Sequence, residues 1–222
     1  MEEYHKINSI FKRDMKNGKK LIIGEWSTPE FEYLANNQFE FTEKVDGKNT
    51  RIHFDRIEDE LFVSFGGRTN NADIPGFLVA YLHNTFVANR GFRNTVGSMM
   101  VERDIDSMTL HGEGYGSKIH GGGKYRDDPS FVLFDVKIGS WWLSRDNVND
   151  IADKLGIDSV PVIGYGTLQD AVDVVRGLHP RISSHSYWGD FEAEGIVARP
   201  VVPMFDRKGQ RIIAKIKGRD FA

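Results

Sequence analysis

The 222-residue chain contains no cysteine, which excludes a disulfide framework, a cysteine nucleophile, thiolate-bound zinc and iron–sulfur clusters. It also lacks long apolar runs: segments such as 77–82 fall far short of the roughly 20 residues that a membrane span requires. The first four residues include two glutamates and do not resemble a signal peptide. The sequence therefore predicts no membrane association, and the lack of cysteine fits a cytoplasmic protein.

The net charge is small, −3 from 29 Lys and Arg against 32 Asp and Glu, so the molecule as a whole does not attract polyanions. Both ends are nevertheless basic, with six Lys and Arg against three acids in residues 1–20 and six against two in residues 203–222. The composition, 40% hydrophobic and 27% charged, is typical of a globular protein. Because no repeat, low-complexity tract or linker interrupts the chain, we expect one domain over residues 1–222.

Short β-rich segments outnumber helical ones. The predicted strands are 39–45, 49–54, 61–65, 108–115, 131–136, 160–163, 192–198 and 211–217. One helix is predicted from a Ser144 cap to Gly156, a second from a Thr167 cap to Gly177, and a third after Pro75. The apolar stripe of that third helix comprises Val79, Leu82, Phe86 and Val87. Since strands and helices do not alternate strictly, the pattern favours an α+β fold with antiparallel sheets over a doubly wound one.

Two glycine-rich segments fail the phosphate-binding signatures that they resemble. Residues 121–124 read Gly-Gly-Gly-Lys, but the first glycine of a P-loop is absent and Tyr125 replaces its Ser or Thr. Residues 112–116 carry three glycines, but Ser117 stands where a Rossmann motif needs the third glycine of its pattern. The seven histidines include no close ligand pair, so we interpret them as surface or core residues rather than zinc ligands.

The segment Lys44-Val45-Asp46-Gly47 places a lysine at the end of a predicted strand, directly before a tight turn. An Asp-Gly pair between β-rich runs is a strong hairpin signal, so by itself the segment indicates a turn with a surface lysine. Further along the chain come Gly-Arg-Thr at 67–69, Glu113 in a glycine-rich strand, Phe-Asp at 134–135, Glu-Gly-Ile-Val at 194–197 and Lys-Ile-Lys at 215–217.

In this order the motifs resemble those of the covalent nucleotidyltransferases: ATP-dependent RNA ligases, DNA ligases and mRNA capping guanylyltransferases. The resemblance covers residues 39–221. It implies the nucleotidyltransferase (ATP-grasp-like ligase) fold, in which antiparallel sheets flanked by helices hold the nucleotide in a cleft between them. Strand geometry supports it independently, because side chains two residues apart share a face, so Lys215 and Lys217 point the same way. By the same rule we expect Glu192 and Glu194 to share a face, and Glu113 to share one with His111 and Tyr115.

By this resemblance, Lys44 is the nucleophile that attacks the α-phosphate of ATP, expels pyrophosphate and forms lysyl-AMP. An ammonium group has no lone pair, so Lys44 must lose its proton, and the nearby cations Lys215 and Lys217 would favour that loss. The two lysines would also bind the α-phosphate and stabilise its developing charge.

The resemblance further implies a set of nucleotide contacts. Glu113 corresponds to the ribose-contacting glutamate, and Phe134 to the aromatic residue that stacks on adenine; Phe131, three residues away, would point to the opposite face. Cofactor-binding residues by the same argument are Glu43, Asn49, Arg68, Glu113, Phe134, Glu194, Lys215 and Lys217. Mg²⁺, with Mn²⁺ as the alternative, would be held through water by Asp46, Glu113 and Glu194.

Asn49, five residues after the nucleophile, favours the nick-sealing repair-type branch of phage RNA ligases, since DNA ligases and capping enzymes usually have arginine there. Asp46 departs from that branch, some members of which have K-x-H-G. A larger departure is that we expect no OB-fold or helical domain after Lys217, although related enzymes usually have one. On that expectation, either adenylylation would be slow or substrate binding would depend on the basic ends. The candidates for phosphate contact are Lys12, Arg13, Lys16, Lys19, Lys20, Arg207, Lys208 and Arg211.

The sequence thus predicts a monomeric ATP-dependent RNA ligase that seals nicked or broken RNA, located in the cytoplasm, or the host cytoplasm if phage-encoded. Three alternatives stay open at this point. The chain could be a compact DNA ligase, a guanylyltransferase, or a nucleotide- or nucleic-acid-binding module without turnover. A DNA ligase would be distinguished by sealing nicked DNA, and a guanylyltransferase by using GTP. A binding module would form no covalent adduct.

Overall fold

The computed structural model describes residues 1–58 and 60–221. The chain divides into two compact units, and it passes from one to the other three times. Unit 1 comprises Met1–Tyr4 and Asp46–Val160, and unit 2 comprises His5–Val45 and Pro161–Ala222. One of the passages falls between Val45 and Asp46, inside the K-x-D-G segment.

The strands, in chain order, are β1 (Asn8–Ser9), β2 (Phe11–Asp14), β3 (Lys20–Trp26), β4 (Phe39–Glu43), β5 (Lys48–Ile57), β6 (Glu60–Gly67), β7 (Ser107–Tyr115), β8 (Ser130–Ile138), β9 (Trp141–Trp142), β10 (Asp158–Ser159), β11 (Val162–Gly166), β12 (Gly195–Pro200) and β13 (Ala214–Lys217). The α-helices are α1 (Pro29–Tyr33), α2 (Gly76–Leu82), α3 (Arg90–Glu102), α4 (Arg145–Leu155) and α5 (Leu168–Val175). Three further short helical segments are a π-helix at His83–Ala88 and 3₁₀ turns at Gly122–Lys124 and Gly218–Asp220.

Unit 1 is built on one sheet with the strand order β10-β8-β7-β5-β6, and β9 pairs with β8 outside that path. The strands run antiparallel except for β10, which is parallel to β8. Alternate side chains of the sheet, such as Ile52, Phe54 and Leu110, are fully buried with the apolar side chains of α2, α3 and α4. On β5 the other face carries polar side chains, namely Arg51, His53 and Asp55.

Unit 2 contains a five-stranded sheet with the order β1-β13-β12-β4-β11 and a separate hairpin of β2 and β3. Only β1, beside β13, is a parallel neighbour in this sheet. The apolar face, including Phe39, Ile196 and Ile216, forms a second core with α5. The antiparallel α+β fold predicted from the sequence is therefore confirmed, with a hydrophobic core in each unit.

Two of the predicted helices begin and end where their capping residues indicate. Ser144 accepts a hydrogen bond from Asn147 N and caps α4, which ends at Gly156 in the left-handed conformation (φ 63°). Thr167 and Asp170 form a reciprocal capping box at the start of α5. Both helices bury the apolar stripe that their spacing predicts, apart from Val175, which is only partly buried.

The prediction of the third helix was only partly correct. It begins after Pro75 as α2 but continues from His83 as a π-helix, which shifts the buried face. Leu82 and Phe86 are fully buried, whereas Val79 is 37% exposed. The sequence also missed α1 and the longest helix, α3, because Gly91 and Gly97 interrupt its helical pattern.

Several strand boundaries were also wrong. The strand expected at 192–198 begins only at Gly195, so Glu192 and Glu194 precede β12 and do not share a strand face. The strand expected at 160–163 is β11, which starts at Val162, and the one expected at 211–217 is shortened to β13. In the described residues, no helix combines the length and apolar character needed to cross a bilayer.

Candidate active site

Lys44 belongs to an ion-pair cluster in unit 2 that is centred on Glu194. Its backbone N–H donates to Gly195 O at 2.9 Å, which ties the residue after β4 to the first residue of β12. Its Nζ donates to Glu194 Oε2 at 2.6 Å, and Lys217 Nζ donates to the other carboxylate oxygen, Oε1. One carboxylate therefore holds two lysines that are 173 positions apart in the sequence.

The strand that follows Glu194 must approach β13 closely for this cluster to form. Gly195 pairs with Lys217, and a Cβ at position 195 would overlap the carbonyl oxygen of Ile216 and lie 2.7 Å from Lys217 Cα. Glycine is thus the residue that this pairing permits. On β13, Ala214 and Ile216 are buried while Lys215 and Lys217 are only partly buried, so the predicted shared face of the two lysines is confirmed.

Burial and the charges of the cluster shift the pKa values of two of its members, Glu194 and Lys215. Burial alone would raise the pKa of the Glu194 carboxyl, but the charges of Lys44 and Lys217 and their hydrogen bonds lower it below its ordinary value. Burial, together with the positive charges of Lys44, Lys217 and Arg13, lowers the pKa of Lys215 to about 8, although the Glu194 charge opposes the shift. The cluster is therefore a cationic site with one internal carboxylate, which is suited to an anionic ligand.

Glu43, the residue before the candidate nucleophile, is almost completely buried. Its two carboxylate oxygens accept hydrogen bonds of 2.7 Å from Ser186 Oγ and Tyr187 N. Burial raises the pKa of the Glu43 carboxyl, while these two hydrogen bonds oppose the shift. The side chain therefore fixes the segment around residue 186 to the end of β4. This role was not foreseen from the sequence.

Arg13, one of the basic residues expected to contact phosphate, is bound to a partner within unit 2. Its Nη2 donates to both oxygens of Asp220 at 2.9 Å and to Ser9 Oγ at 3.0 Å, and its Nη1 donates to Lys19 O. One nitrogen contacts both carboxylate oxygens, so the ion pair is a bifurcated, charge-assisted contact and not a two-nitrogen fork. Arg13 thus connects β2 to the 3₁₀ turn that follows β13.

In unit 1, Asn49 and Glu113 lie directly opposite each other on β5 and β7. Residues paired across antiparallel strands project to the same face, so these two predicted nucleotide contacts are neighbours. Asn49 Oδ1 is buried and accepts no hydrogen bond from the residues that the structure describes. An unsatisfied buried acceptor is uncommon and is often completed by a ligand.

Phe134 lies in an irregular stretch of β8, next to a register shift opposite β7. Its ring meets the Tyr4 ring edge-on at 5.2 Å, and the Tyr4 hydroxyl donates to Asp135 Oδ2 at 2.6 Å. Phe131 is buried in the unit 1 core and packs against Phe86. The two phenylalanines therefore occupy different environments, as the strand argument expects. No local sequence signal identifies Tyr4, which is 131 positions from Asp135.

Two arginines of unit 1 differ in their surroundings. Arg68, the predicted phosphate contact, is exposed and follows β6. Arg51 is only 1% exposed, and its guanidinium donates to the carbonyl oxygens of Gly67 at 2.5 Å and of Glu2. Burial lowers the pKa of Arg51, which the nearby Glu3 charge partly offsets. Arg51 therefore serves the architecture of unit 1, and Arg68 is the arginine available to a ligand.

The backbone bends at Asp46 and Gly47, at the start of unit 1. The hairpin that the Asp-Gly pair indicates does not form, because β4 and β5 belong to different sheets and do not pair with each other. The Asp46 Oδ2 atom accepts a hydrogen bond from Gly121 N at 3.1 Å, and its backbone N–H donates to the Tyr125 hydroxyl at 3.3 Å. Gly47 packs so closely on β7 that a Cβ there would overlap the carbonyl oxygen of Gly114.

The three carboxylates proposed for metal binding do not form a preformed cage. Within residues 1–58 and 60–221, no three His, Cys, Asp or Glu side chains are grouped closely enough to hold a metal ion. Glu194 binds two lysines, and Asp46 binds a backbone amide. Their oxygen chemistry fits Mg²⁺, which retains several waters and usually binds through one or two carboxylates together with substrate phosphates.

Comparisons with known proteins identify a family from the sequence and a shared fold from solved structures. The model of the family described as RNA ligase matches residues 37–217. Among solved structures, the chain is similar to the RNA ligase of Naegleria gruberi. A mutant with ATP and Mn gives a TM-score of 0.60 at 14% identity, covering 99% of this chain and 57% of that chain. A mutant with AMP and Mn gives a TM-score of 0.56 at 15% identity, and the ligase with PPi gives a TM-score of 0.56 at 18% identity. Each of these two matches covers 87% of this chain and 53% of the ligase chain.

The chain therefore spans little more than half the length of these solved ligases. At such identities the likeness shows a shared fold. Among curated proteins, none matches the sequence significantly.

Proposed function

Because this chain belongs to the RNA ligase family, we propose that it is an ATP-dependent RNA ligase whose nucleophile is Lys44. The observation that carries the proposal is the unit 2 cluster, in which Glu194 binds both Lys44 and Lys217 beside Lys215. A nucleophilic lysine surrounded by cations is the arrangement that attack on a nucleotide phosphate requires. The Naegleria structures with ATP, AMP and PPi support the same chemistry.

The proposed reaction has three displacements at phosphorus. The unprotonated Lys44 Nζ attacks the α-phosphorus of ATP, the bond to the β-phosphate oxygen breaks, and pyrophosphate leaves. An oxygen of the RNA 5′-phosphate then attacks the same phosphorus and breaks the P–N bond, which frees Lys44. Finally the 3′-hydroxyl attacks the 5′-phosphate, loses its proton, and expels AMP as the strand closes.

The residues of unit 2 would serve the first displacement. Lys215 and Lys217 would bind the α-phosphate oxygens and stabilise their developing charge. Glu194 would hold Lys44 in position until the nucleotide binds, since a carboxylate that pairs with an ammonium favours its charged form. The backbone beside Glu43 is the proposed contact with the base.

The residues of unit 1 would bind the nucleoside. Asn49, with its unsatisfied buried Oδ1, and the neighbouring Glu113 would contact the ribose, while Phe134 would stack on adenine and Arg68 would bind phosphate. Mg²⁺ or Mn²⁺ would neutralise phosphate charge, with Glu113 and Glu194 as carboxylate donors. Asp46 is the weakest of the three metal candidates, since one of its oxygens already accepts from Gly121.

The adduct experiment tests this function directly. The purified chain is incubated with a divalent metal and either ATP or GTP, and its intact mass is recorded. We expect a gain of one AMP from ATP alone and no gain in Lys44→Ala. A GMP adduct would identify a guanylyltransferase. An adduct that persists in Lys44→Ala would exclude Lys44 as the nucleophile. If no adduct forms and pre-adenylylated strands are not sealed, the chain is a binding module.

For the substrate, we propose nicked or broken RNA, with nicked DNA as the second candidate. Sealing of matched nicked duplexes that differ only in the sugar separates the two. The proposal takes the chain to be a monomer in the cytoplasm, and sedimentation of the protein used for the mass measurement tests the first point. The assignment to a phage branch stays a prediction.

The RNA-binding surface is proposed to lie on the β2–β3 hairpin of unit 2. Lys16, Lys19 and Lys20 are exposed there, and none of the three has an ion pair with another described residue. The exposed Arg207 and Lys208 extend the set, whereas Arg13 is bound to Asp220. Exposed lysines without carboxylate partners are suited to contacts with the phosphate backbone, which release counterions.

Charge reversal of the hairpin tests this surface. Changing Lys16, Lys19 and Lys20 to Glu should reduce sealing of pre-adenylylated nicks at least tenfold and flatten its dependence on salt. The matched control reverses three exposed charges of unit 1: Arg90, Arg103 and Lys154. Equal losses in both variants would show that only overall charge matters.

A further inference from the structure

The glycine-rich segment 121–124, which fails the P-loop signature, contacts the turn that follows the candidate nucleophile. It lies in the connection between β7 and β8 in unit 1. Gly121 N donates to Asp46 Oδ2 at 3.1 Å, and one residue after the segment the Tyr125 hydroxyl accepts from Asp46 N at 3.3 Å. Asp46 is therefore bound through both its side chain and its backbone by the same loop.

The contact of this loop with Asp46 requires glycine at positions 121 and 122 but not at position 123. A Cβ at Gly121 would overlap the Asp46 carboxylate, and a Cβ at Gly122 would lie 2.6 Å from Gly116 N and 3.2 Å from Asp46 O. At Gly123 the nearest atom would be Ser117 Cα at 3.5 Å, an ordinary van der Waals contact. Gly121 thus packs closely against Asp46, and Gly122 against Gly116 and Asp46, whereas position 123 tolerates a side chain.

The loop is fixed to the rest of unit 1 and cannot follow Asp46 freely. Ile119 is 2% exposed and belongs to the unit 1 core. Its neighbours Lys118 and His120 both adopt left-handed backbone conformations (φ 69° and 48°), which non-glycine residues rarely adopt. The Tyr125 ring packs edge-on against Tyr115, the last residue of β7, at 5.9 Å. Strained residues of this kind persist where the surrounding structure determines them.

We propose that Gly121, Gly122 and Tyr125 are positioning residues that fix the Asp46–Gly47 turn, and that Asp46 acts as the acceptor for Gly121 rather than as a metal ligand. The inference rests on the proposed function, because the turn lies two residues after Lys44. An acceptor of a backbone N–H needs an oxygen and no charge. Asparagine therefore preserves this role and alanine abolishes it, whereas a metal ligand requires the carboxylate charge.

The first test compares two alanine substitutions within one loop. In Gly121→Ala, the new methyl group displaces the end of a flexible carboxylate, so the protein should fold and retain its melting temperature. Its rate of lysyl-AMP formation at saturating ATP should fall at least tenfold, because small displacements near a reacting group are costly. Gly123→Ala should behave like the parent chain. Equal rates in the two variants would overturn the proposal.

The second test separates positioning from metal binding. Asp46→Asn should retain at least a third of the rate, Asp46→Ala should lose tenfold or more, and the Mg²⁺ concentration for half-maximal rate should not change in either. If Asp46→Asn is as impaired as Asp46→Ala and needs several-fold more Mg²⁺, Asp46 is a metal ligand and the proposal is wrong. Tyr125→Phe should show a smaller loss, since it removes the acceptor for Asp46 N but keeps the hydrogen bond from Gly121 N to the Asp46 carboxylate.

Hydrogen exchange at the Gly121 amide provides a readout that does not depend on activity. Protection should be present in the parent chain and in Asp46→Asn, and should fall at least tenfold in Asp46→Ala. If the parent chain forms no adduct but this protection pattern holds, the proposed function is wrong and the contact between Gly121 and Asp46 is still supported. If the parent chain forms the adduct but its Gly121 amide is not protected from exchange, only the positioning role of the loop is wrong.

Discussion

Unit 2 holds its candidate residues by charge, whereas unit 1 holds its own by strand pairing, aromatic contacts and backbone hydrogen bonds. In unit 2, Glu194 joins Lys44 to Lys217 in a cluster that an anionic ligand would rearrange. In unit 1, Asn49 and Glu113 are placed by their strands, and Asn49 Oδ1 still lacks a described partner. On the proposed function, this difference predicts that unit 2 governs the rate of nucleotide transfer and unit 1 the affinity for the nucleotide.

The largest effect is expected from Glu194→Gln. This change keeps the shape of the side chain but leaves three lysines without their shared counter-charge, so Lys44 should lose its fixed position. We expect lysyl-AMP formation at saturating ATP to slow about 100-fold with little change in ATP affinity, as measured by quenched-flow mass spectrometry. Glu192→Gln is the control. Faster adduct formation would mean that the carboxylate mainly keeps Lys44 protonated.

Phe134→Ala should affect affinity instead. Loss of a stacked base costs about 1–3 kcal/mol, so ATP binding should weaken roughly 5- to 150-fold while the rate at saturation changes little. Titration of ATP into the Lys44→Ala variant, with and without Phe134→Ala, measures this without turnover. Phe62→Ala, a half-exposed phenylalanine of the same unit, is the control. A fall in rate at unchanged affinity would contradict the division between the units.

The titration of Lys215 offers a smaller test of the charge cluster. Its pKa is lowered to about 8 from 10.5, so the folded chain releases this proton before the unfolded chain does as pH rises. Stability therefore increases with pH between about 8 and 10.5, and below pH 8 the charged lysine imposes its full cost. Relative to Lys215→Met, the parent chain should gain about 1–2 kcal/mol of unfolding free energy from pH 7.5 to 9.5, after allowance for solvent screening.

Urea unfolding of both proteins at the two pH values measures that difference. Lys208→Met, which changes an exposed lysine, should show no such gain. An equal pH dependence in the parent chain and in Lys215→Met would mean that burial and the surrounding cations do not lower the pKa of Lys215.

The smallest effects compare one helix cap from each unit. Thr167→Ala removes a reciprocal capping box in unit 2 and should cost about 1–2 kcal/mol of unfolding free energy. Ser144→Ala removes a single, longer hydrogen bond of 3.5 Å in unit 1 and should cost about 0.5–1 kcal/mol. Chemical denaturation measures both. The reverse order would show that cap geometry is not the deciding factor.

Local patterns in the sequence were sufficient for features that depend on neighbouring residues. Alternation along one strand placed Lys215 and Lys217 on one face, and capping residues marked both ends of α4. The antiparallel α+β fold followed from the count and order of such segments.

Features that depend on distant residues could not be predicted in the same way. Glu43 meets Ser186 across 143 positions, and Tyr4 meets Asp135 across 131, so no local spacing indicates either contact. The helix α3 was missed because its two glycines oppose helix formation, which tertiary packing of residues such as Val96 and Met100 overcomes. The roles given to the site residues came from the family resemblance, and they remain proposals.

The pairing of β1 with β13 has a consequence for how the protein is made. Ser9 lies beside Lys215, and Ile10 N donates to Lys215 O, so β1 is completed by a strand made more than 200 residues later. Contacts this distant in sequence form slowly, because a long stretch of chain must be made and ordered before they can close. The last strand of unit 1, β10, ends at Ser159, so every strand of that unit is made before β13. The lysine pair of β13 therefore joins its sheet only after unit 1 has all of its own strands available.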